Sequence, residues 1–245
     1  MLLKKYVLLG LIFISVSAVA GNIDYQVNDE SYQGYFVSTA QNAPLILLIH
    51  DWDGLTDYEI KRANMLAEEG YAVFAADLFG KGVRPTEDKD KKQHTGELYQ
   101  DRQKMRQLVK GALDKAAELG ANRQQTVVIG YCFGGAAALE MARSGVDLQG
   151  VVSFHGGLKT PRGQDYADSS TEILILHGAA DKAISMQEFA ELSKELEAFN
   201  VPNEMIAYGG ADHAFTVFGI DRYHAEADKK SWQRLLQFLD EKRSE

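Results

Sequence analysis

Runs and alternations of apolar side chains divide most of the chain into strands and helices. Residues 23–27 and 32–37 alternate or cluster apolar positions around Asn28-Asp29-Glu30, the pattern of a hairpin at a sheet edge. Pro44-Leu45-Ile46-Leu47-Leu48-Ile49 is apolar throughout, as expected of a strand buried on both faces of a parallel sheet. A helical spacing follows over residues 57–69, with Ile60, Ala63, Met65, Leu66 and Ala67 on its apolar side and Gly70 as its stop. Residues 71–75 form the next strand. The stretch 79–94 is rich in Gly, Pro, Lys and Asp, shows no period, and reads as a loop placed to cover a site. Over residues 95–119, Leu98, Met105, Leu108, Val109 and Leu113 fit one long amphipathic helix. Strands at 126–129, 150–154, 172–176 and 204–208 then alternate with helices at 134–144, 185–198 and 225–241. Such alternation demands crossover connections, so an α/β fold is expected: a mostly parallel twisted sheet, helices on both faces, and an N-terminal antiparallel hairpin.

The first twenty residues stand apart from this pattern. Lys4 and Lys5 precede a nearly uninterrupted apolar stretch from Tyr6 to Val19, and Ala18-Val19-Ala20 is a small-residue cleavage site. The stretch is short for a bilayer span, so residues 1–20 read as a cleaved secretory signal and residues 21–245 as a single domain. An exported protein, periplasmic or secreted, with no stable membrane span in its mature form is expected. Losing Lys4 and Lys5 takes the formal charge from −9 to −11, which disfavours nucleic acid or an anionic membrane as partner. A monomer acting on a small molecule is expected.

Cys132 is the one cysteine, so no internal disulfide can form even though export leads to an oxidising compartment. It lies in Gly130-Tyr131-Cys132-Phe133-Gly134-Gly135, between the apolar run 126–129 and the helix-forming stretch that follows. This is a Gly-x-nucleophile-x-Gly elbow with sulfur in place of the more common serine oxygen. A sharp strand-to-helix turn strains the nucleophile's backbone and leaves no room for flanking side chains, hence glycine at Gly130 and Gly134. The helix dipole behind the elbow favours a thiolate and a developing oxyanion. The bland alternative is a buried, inert core cysteine.

Two further strand ends supply the complementary groups. Asp181 follows the strand through Leu176-His177-Gly178, and His213 follows the next, in Asp212-His213-Ala214-Phe215. Nucleophile, acid, histidine is the chain order of α/β-hydrolases, with His213 as proton carrier and Asp181 fixing its tautomer. Asp181 could instead be a turn-forming aspartate, and Asp212 is expected to be merely solvated. His155 and His177 also end strands; a structural role is expected for them, and they are the rivals for the base. The loop His50-Asp51-Trp52-Asp53-Gly54 follows an early strand, where a second oxyanion donor is required, so the backbone N–H groups of Trp52 and Phe133 are assigned to the oxyanion. Trp52, Tyr131, Phe133, Phe79 and Phe215 are expected to line a pocket for small apolar or aromatic groups.

The elbow, the loop 49–54, Ala76-Asp77-Leu78-Phe79-Gly80-Lys81-Gly82, Ser153-Phe154-His155-Gly156-Gly157, Leu176-His177-Gly178 and Asp212-His213-Ala214-Phe215 together resemble the dienelactone hydrolase family. The resemblance covers the chain from about residue 23 to its end. It implies an α/β-hydrolase fold and a Cys-His-Asp hydrolase of small esters or lactones, working through an acyl-enzyme without metal or organic cofactor. It also implies that Asp51 stands where family members carry a glutamate that contacts and helps ionise the resting thiol, one methylene shorter here. Lys81 takes the position of an arginine that binds an anionic substrate, and Ala214 that of a serine, so Lys81 with Tyr131 is expected to contact substrate. Two other classes remain possible from sequence: a non-catalytic small-molecule binder that keeps the fold, and, with weaker support because tight ligand spacings are missing, a metal site built from Cys132, Asp181 and His213.

Overall fold

The structure is a computed structural model, in which residues 19–244 are described. It opens with the hairpin β1 (Val19–Val27) and β2 (Glu30–Ser38), joined by Asn28 and Asp29 at φ 51° and 64°. Positive φ at both turn positions matches the twist of the flanking strands, and Asn and Asp tolerate it best among side-chain-bearing residues. The expected signal falls almost wholly on residues 1–18, outside those described. The expected cut after Ala20 lies within β1, where Ala20 pairs with Val37.

Next come β3 (Pro44–Ile49), α1 (Asp57–Glu68) and β4 (Ala72–Ala76). After them α2 (Asp88–Gln100), α3 (Arg102–Glu118), β5 (Asn122–Tyr131) and α4 (Phe133–Arg143) follow. The chain ends with β6 (Gly150–Phe154), β7 (Glu172–Gly178), α5 (Met186–Ala198), β8 (Asn203–Tyr208) and α6 (Ala225–Arg243). One eight-stranded sheet has the order β1-β2-β4-β3-β5-β6-β7-β8. The hairpin joins it antiparallel through β2 and β4, and all pairings from β4 across to β8 are parallel. The expected fold class therefore holds.

The apolar run of β3 is explained by its two faces. Leu45, Leu47 and Ile49 enter the core under α3, α4 and α5, while Ile46 and Leu48 enter the core under α1 and α6. All five are essentially inaccessible to solvent, and removing one such side chain to alanine typically costs about 2–5 kcal/mol. Helix α4 carries Ala136, Ala137, Ala138 and Ala142, small enough to let it sit close against the sheet.

Three sequence expectations are corrected. Residues 95–119 are not one helix: Asp101, at φ −109° and ψ 79°, separates α2 from α3, and its carboxylate accepts the Lys104 N–H at 2.8 Å as the cap of α3. The expected loop 79–94 is helical from Asp88. Helix α2 buries only Thr95 and Leu98, so it shows no apolar stripe. Strand β5 also begins four residues earlier than its apolar run, because polar Asn122 already pairs with Pro44. Among the described residues, no helix is long and apolar enough to cross a membrane.

Candidate active site

Cys132 stands between β5 and α4 at φ 51° and ψ −111°, a region that side-chain-bearing residues enter at a cost of about 1–3 kcal/mol. The surroundings hold it there. A Cβ on Gly130 would lie 1.9 Å from the Gly134 carbonyl oxygen, and one on Gly134 would lie 2.3 Å from that of Ile49. Strand, helix and the end of β3 thus meet in backbone contact at the elbow. The Cys132 N–H donates to the Phe154 carbonyl at 3.0 Å, which ties the turn to β6. Cys132 itself remains partly exposed.

The ends of β7 and β8 bring the other two groups to it. His213 Nε2 lies 3.2 Å from Cys132 Sγ, and His213 Nδ1 lies 2.8 Å from Asp181 Oδ2. Burial opposes charge on His213, but the hydrogen bonds to Asp181 and to the sulfur prevail and push its pKa up to about 10. Burial likewise opposes charge on Asp181, and here the bonds from His213 and the Ile184 N–H prevail, holding the carboxyl below its ordinary range. Asp181 is a turn former as well: Oδ1 accepts the N–H groups of Ala183 and Ile184, both at 2.8 Å, leaving Oδ2 for the imidazole. Asp212 is not merely solvated, since its carboxylate accepts the His213 N–H at 2.7 Å and shapes the loop. The rival histidines are placed elsewhere. His155 binds the Thr216 hydroxyl at 2.8 Å, and His177 packs on Phe189; burial lowers the pKa of both rings.

The loop after β3 packs directly against the start of α4, since a Cβ on Gly134 would also meet the His50 carbonyl at 2.6 Å. Trp52 and Phe133 are therefore brought to the same side of the elbow, and Phe133, first residue of α4, has an N–H without an intrahelical partner. His50 braces the loop from below: one ring nitrogen meets the Asp51 carbonyl at 2.6 Å and the other accepts the Leu78 N–H at 3.1 Å. Asp51 is buried, and its carboxylate accepts the Asp53 N–H at 3.0 Å. Burial first, then Asp53, Glu59 and charge at Cys132, raise Asp51 well above the usual carboxylate range. It thus sits within electrostatic reach of the sulfur.

Three aromatic residues expected to line a pocket, Tyr131, Phe133 and Phe215, are buried instead. Tyr131 is fully buried, stacked on Phe154 with ring centroids 4.7 Å apart and edge-on to Tyr58 at 5.2 Å, so it belongs to the core under α1 and α6. Strand alternation explains this, since Val127, Ile129 and Tyr131 share one face of β5. Lys81 is about half exposed and forms a solvent-facing ion pair with Asp24 on β1, a weak kind of pair that leaves the ammonium accessible. Phe215 is buried between His155 and Tyr208. Trp52 and Phe79 do stay partly exposed, and α2 covers them: Lys91 lies over the Trp52 ring at 5.0 Å and His94 stacks on Phe79 at 5.2 Å. The covering role expected of residues 79–94 is thus performed by a polar helix.

A buried polar network behind His213 had no signal in the sequence beyond a lone arginine in an apolar helix face. Arg62 of α1 pairs with Asp228 of α6 and donates to the Thr216 carbonyl at 2.8 Å. The Thr216 hydroxyl in turn meets Tyr58 at 2.7 Å and His155 at 2.8 Å. Two helices from the far face therefore grip the loop that carries His213.

Known proteins resemble this chain over most of its length. A Yersinia pestis protein named as a carboxymethylenebutenolidase is 26% identical over 216 residues, covering 80% of this chain and 77% of that protein. A Bradyrhizobium protein named as a 2-oxo-3-(5-oxofuran-2-ylidene)propanoate lactonase is 25% identical over 231 residues, covering 89% and 92%. Among solved structures, a dienelactone hydrolase-like promiscuous phosphotriesterase from metagenomic libraries superposes with a TM-score of 0.84 at 29% identity, covering 91% of this chain and 98% of its own. At the family level, residues 32–242 match the dienelactone hydrolase family, and this chain belongs to it.

Proposed function

We propose that this protein hydrolyses small esters or lactones through an acyl-enzyme formed on Cys132, with His213 as proton carrier and Asp181 as its orienting acid. The observation that carries the reading is the unbroken chain from Sγ to Nε2 at 3.2 Å and from Nδ1 to the carboxylate at 2.8 Å, on a partly exposed, strained elbow. The relatives' names, a carboxymethylenebutenolidase and a lactonase, support the same bond type.

In the proposed reaction the sulfur attacks the carbonyl carbon, and the thiol proton resides on His213 Nε2. The N–H groups of Trp52 and Phe133 take the charge that develops on the carbonyl oxygen. A ring that keeps its proton up to about pH 10 is a ready donor to the leaving alkoxide. Water then attacks the thioester, His213 accepts its proton, and the acid leaves as the thiol is restored. Asp51, held above the ordinary carboxylate range, disfavours a second negative charge beside the sulfur and fits a role in gating the thiol. Export rests on the sequence of the first twenty residues, and we propose that the reaction takes place in the periplasm or outside the cell.

Cys132→Ala tests the reading. Turnover of 4-nitrophenyl acetate should fall by about 10³-fold or more, while the urea unfolding midpoint stays near that of the wild type. Turnover equal to wild type in the purified variant would refute it, whereas no turnover by either protein would favour a non-catalytic binder.

A further inference from the structure

A cavity of about 310 Å³ adjoins the elbow, between the α2–α3 junction, α4, the segment after β6 and the turn into α5. Its walls are tied to the catalytic residues. Tyr99 sets its ring edge-on against Phe133 at 5.4 Å, and burial followed by charge at Cys132 raises its hydroxyl above the ordinary range. Ile184 donates its N–H to Asp181, and the Ala136 N–H reaches the Cys132 carbonyl at 3.4 Å. A substrate held at the sulfur has this cavity as adjoining space, at the small end of ligand pockets.

The walls are cationic in a chain whose formal charge is −9. Arg102, Arg143, Lys159 and Arg162 all line the cavity. Arg143 is committed to Glu140, Gln164 and Tyr166, and Arg102 lies over the Tyr99 ring at 4.7 Å with Glu140 at 3.6 Å. Lys159 and Arg162 are exposed, and neither has an ion-pair partner among the described residues. Glu188 is the one acid of the lining and caps α5, accepting from the Ser185 N–H and hydroxyl at 2.8 and 3.1 Å; Glu195 accepts from the Thr160 hydroxyl at 2.6 Å, and Glu140 holds its arginines. Lys81, by contrast, has Asp24 as a solvent-exposed ion-pair partner.

We propose that this cavity is a substrate subsite for a carboxylate borne several bonds from the scissile carbonyl, seated by Lys159 and Arg162 with Arg102 behind them. The inference deepens the hydrolase reading and rests on it. Substrates are thus elongated anionic esters rather than compact neutral ones, and the anion lies on the α5 side of the elbow instead of beside Lys81.

Matched substrates test it. With mono-4-nitrophenyl adipate against 4-nitrophenyl hexanoate for the acyl side, and 4-acetoxybenzoate against phenyl acetate for the leaving side, at least one anionic member should be favoured in kcat/KM. The preference should be roughly five- to ten-fold at low salt and shrink in 0.5 M sodium chloride, where the screening length is about 4 Å. The double variant Lys159→Ala/Arg162→Ala should lower kcat/KM of the favoured anionic ester about five- to ten-fold, to the level of its neutral partner. Lys81→Ala should leave the preference intact. Normal neutral turnover with no anionic preference, or a preference insensitive to the double variant, overturns the subsite. If neither neutral nor anionic ester is turned over, the hydrolase reading falls instead. Calorimetric titration of Cys132→Ala with adipate then decides the subsite alone, since binding that persists unchanged in Cys132→Ala/Lys159→Ala/Arg162→Ala, or no binding at all, also overturns it.

Discussion

At the residue scale, the site is a set of side chains whose protonation is fixed by neighbours. His213 is mostly buried and would be neutral if burial acted alone, yet Asp181 and Cys132 push it up to about 10, against about 6.5 in an unfolded chain. A folded-state pKa above the unfolded value means that the folded protein holds a proton the unfolded chain has released. The stabilisation is therefore complete below about pH 6.5 and is lost as pH rises towards 10. The urea midpoint of wild type minus that of His213→Asn should be largest near pH 6 and shrink steadily to pH 10; a constant difference would contradict the pairing. These residues were legible because each punctuates a strand end and has a distinct chemical type. Tyr131 was misread from its place beside Cys132, although its alternation with Val127 and Ile129 turns it to the opposite core. The ion pair of Lys81 had no local signal, because its partner Asp24 is 57 positions away in sequence.

At the element scale, the elbow depends on backbone approach more than on any side chain. Gly134→Ala places a Cβ 2.3 Å from a backbone oxygen of β3, which cannot rotate away, so destabilisation of about 1–3 kcal/mol with loss of turnover is expected from urea titration and ester assay. Gly96→Ala is the internal control. It lies within α2 with nothing within 4 Å of its added Cβ, and should stabilise by about 0.5–1 kcal/mol. Apolar periodicity located the strands and α1, α4, α5 and α6 because those elements bury a face. It merged the covering helix with α3 and left its first half as loop, since α2 buries little and the break at Asp101 is a single capped residue.

At the scale of the whole molecule, Arg62 and Asp228 join helices from distant parts of the chain to the His213 loop. Arg62→Met leaves Asp228 buried without its cation and the Thr216 carbonyl without that donor, so a loss of about 3–5 kcal/mol is expected in urea unfolding. Arg62→Met/Asp228→Leu should recover most of that stability, because an ion pair replaced by apolar groups of similar volume leaves no charge stranded; equal losses in both variants would contradict this reading. By itself the sequence determined the α/β alternation, the doubly buried central strands, the cysteine elbow with its glycines, and the order of nucleophile, acid and histidine. Those follow from local rules: the period of the apolar positions, backbone sterics, and residue chemistry at strand ends. Only the tertiary structure decided which groups face the sulfur, that Tyr131 and Phe215 turn away into the cores, that Lys81 meets Asp24, and that Lys159 and Arg162 line one cavity on the α5 side. These depend on pairings between segments far apart in the chain, for which charge and burial carry no local signature.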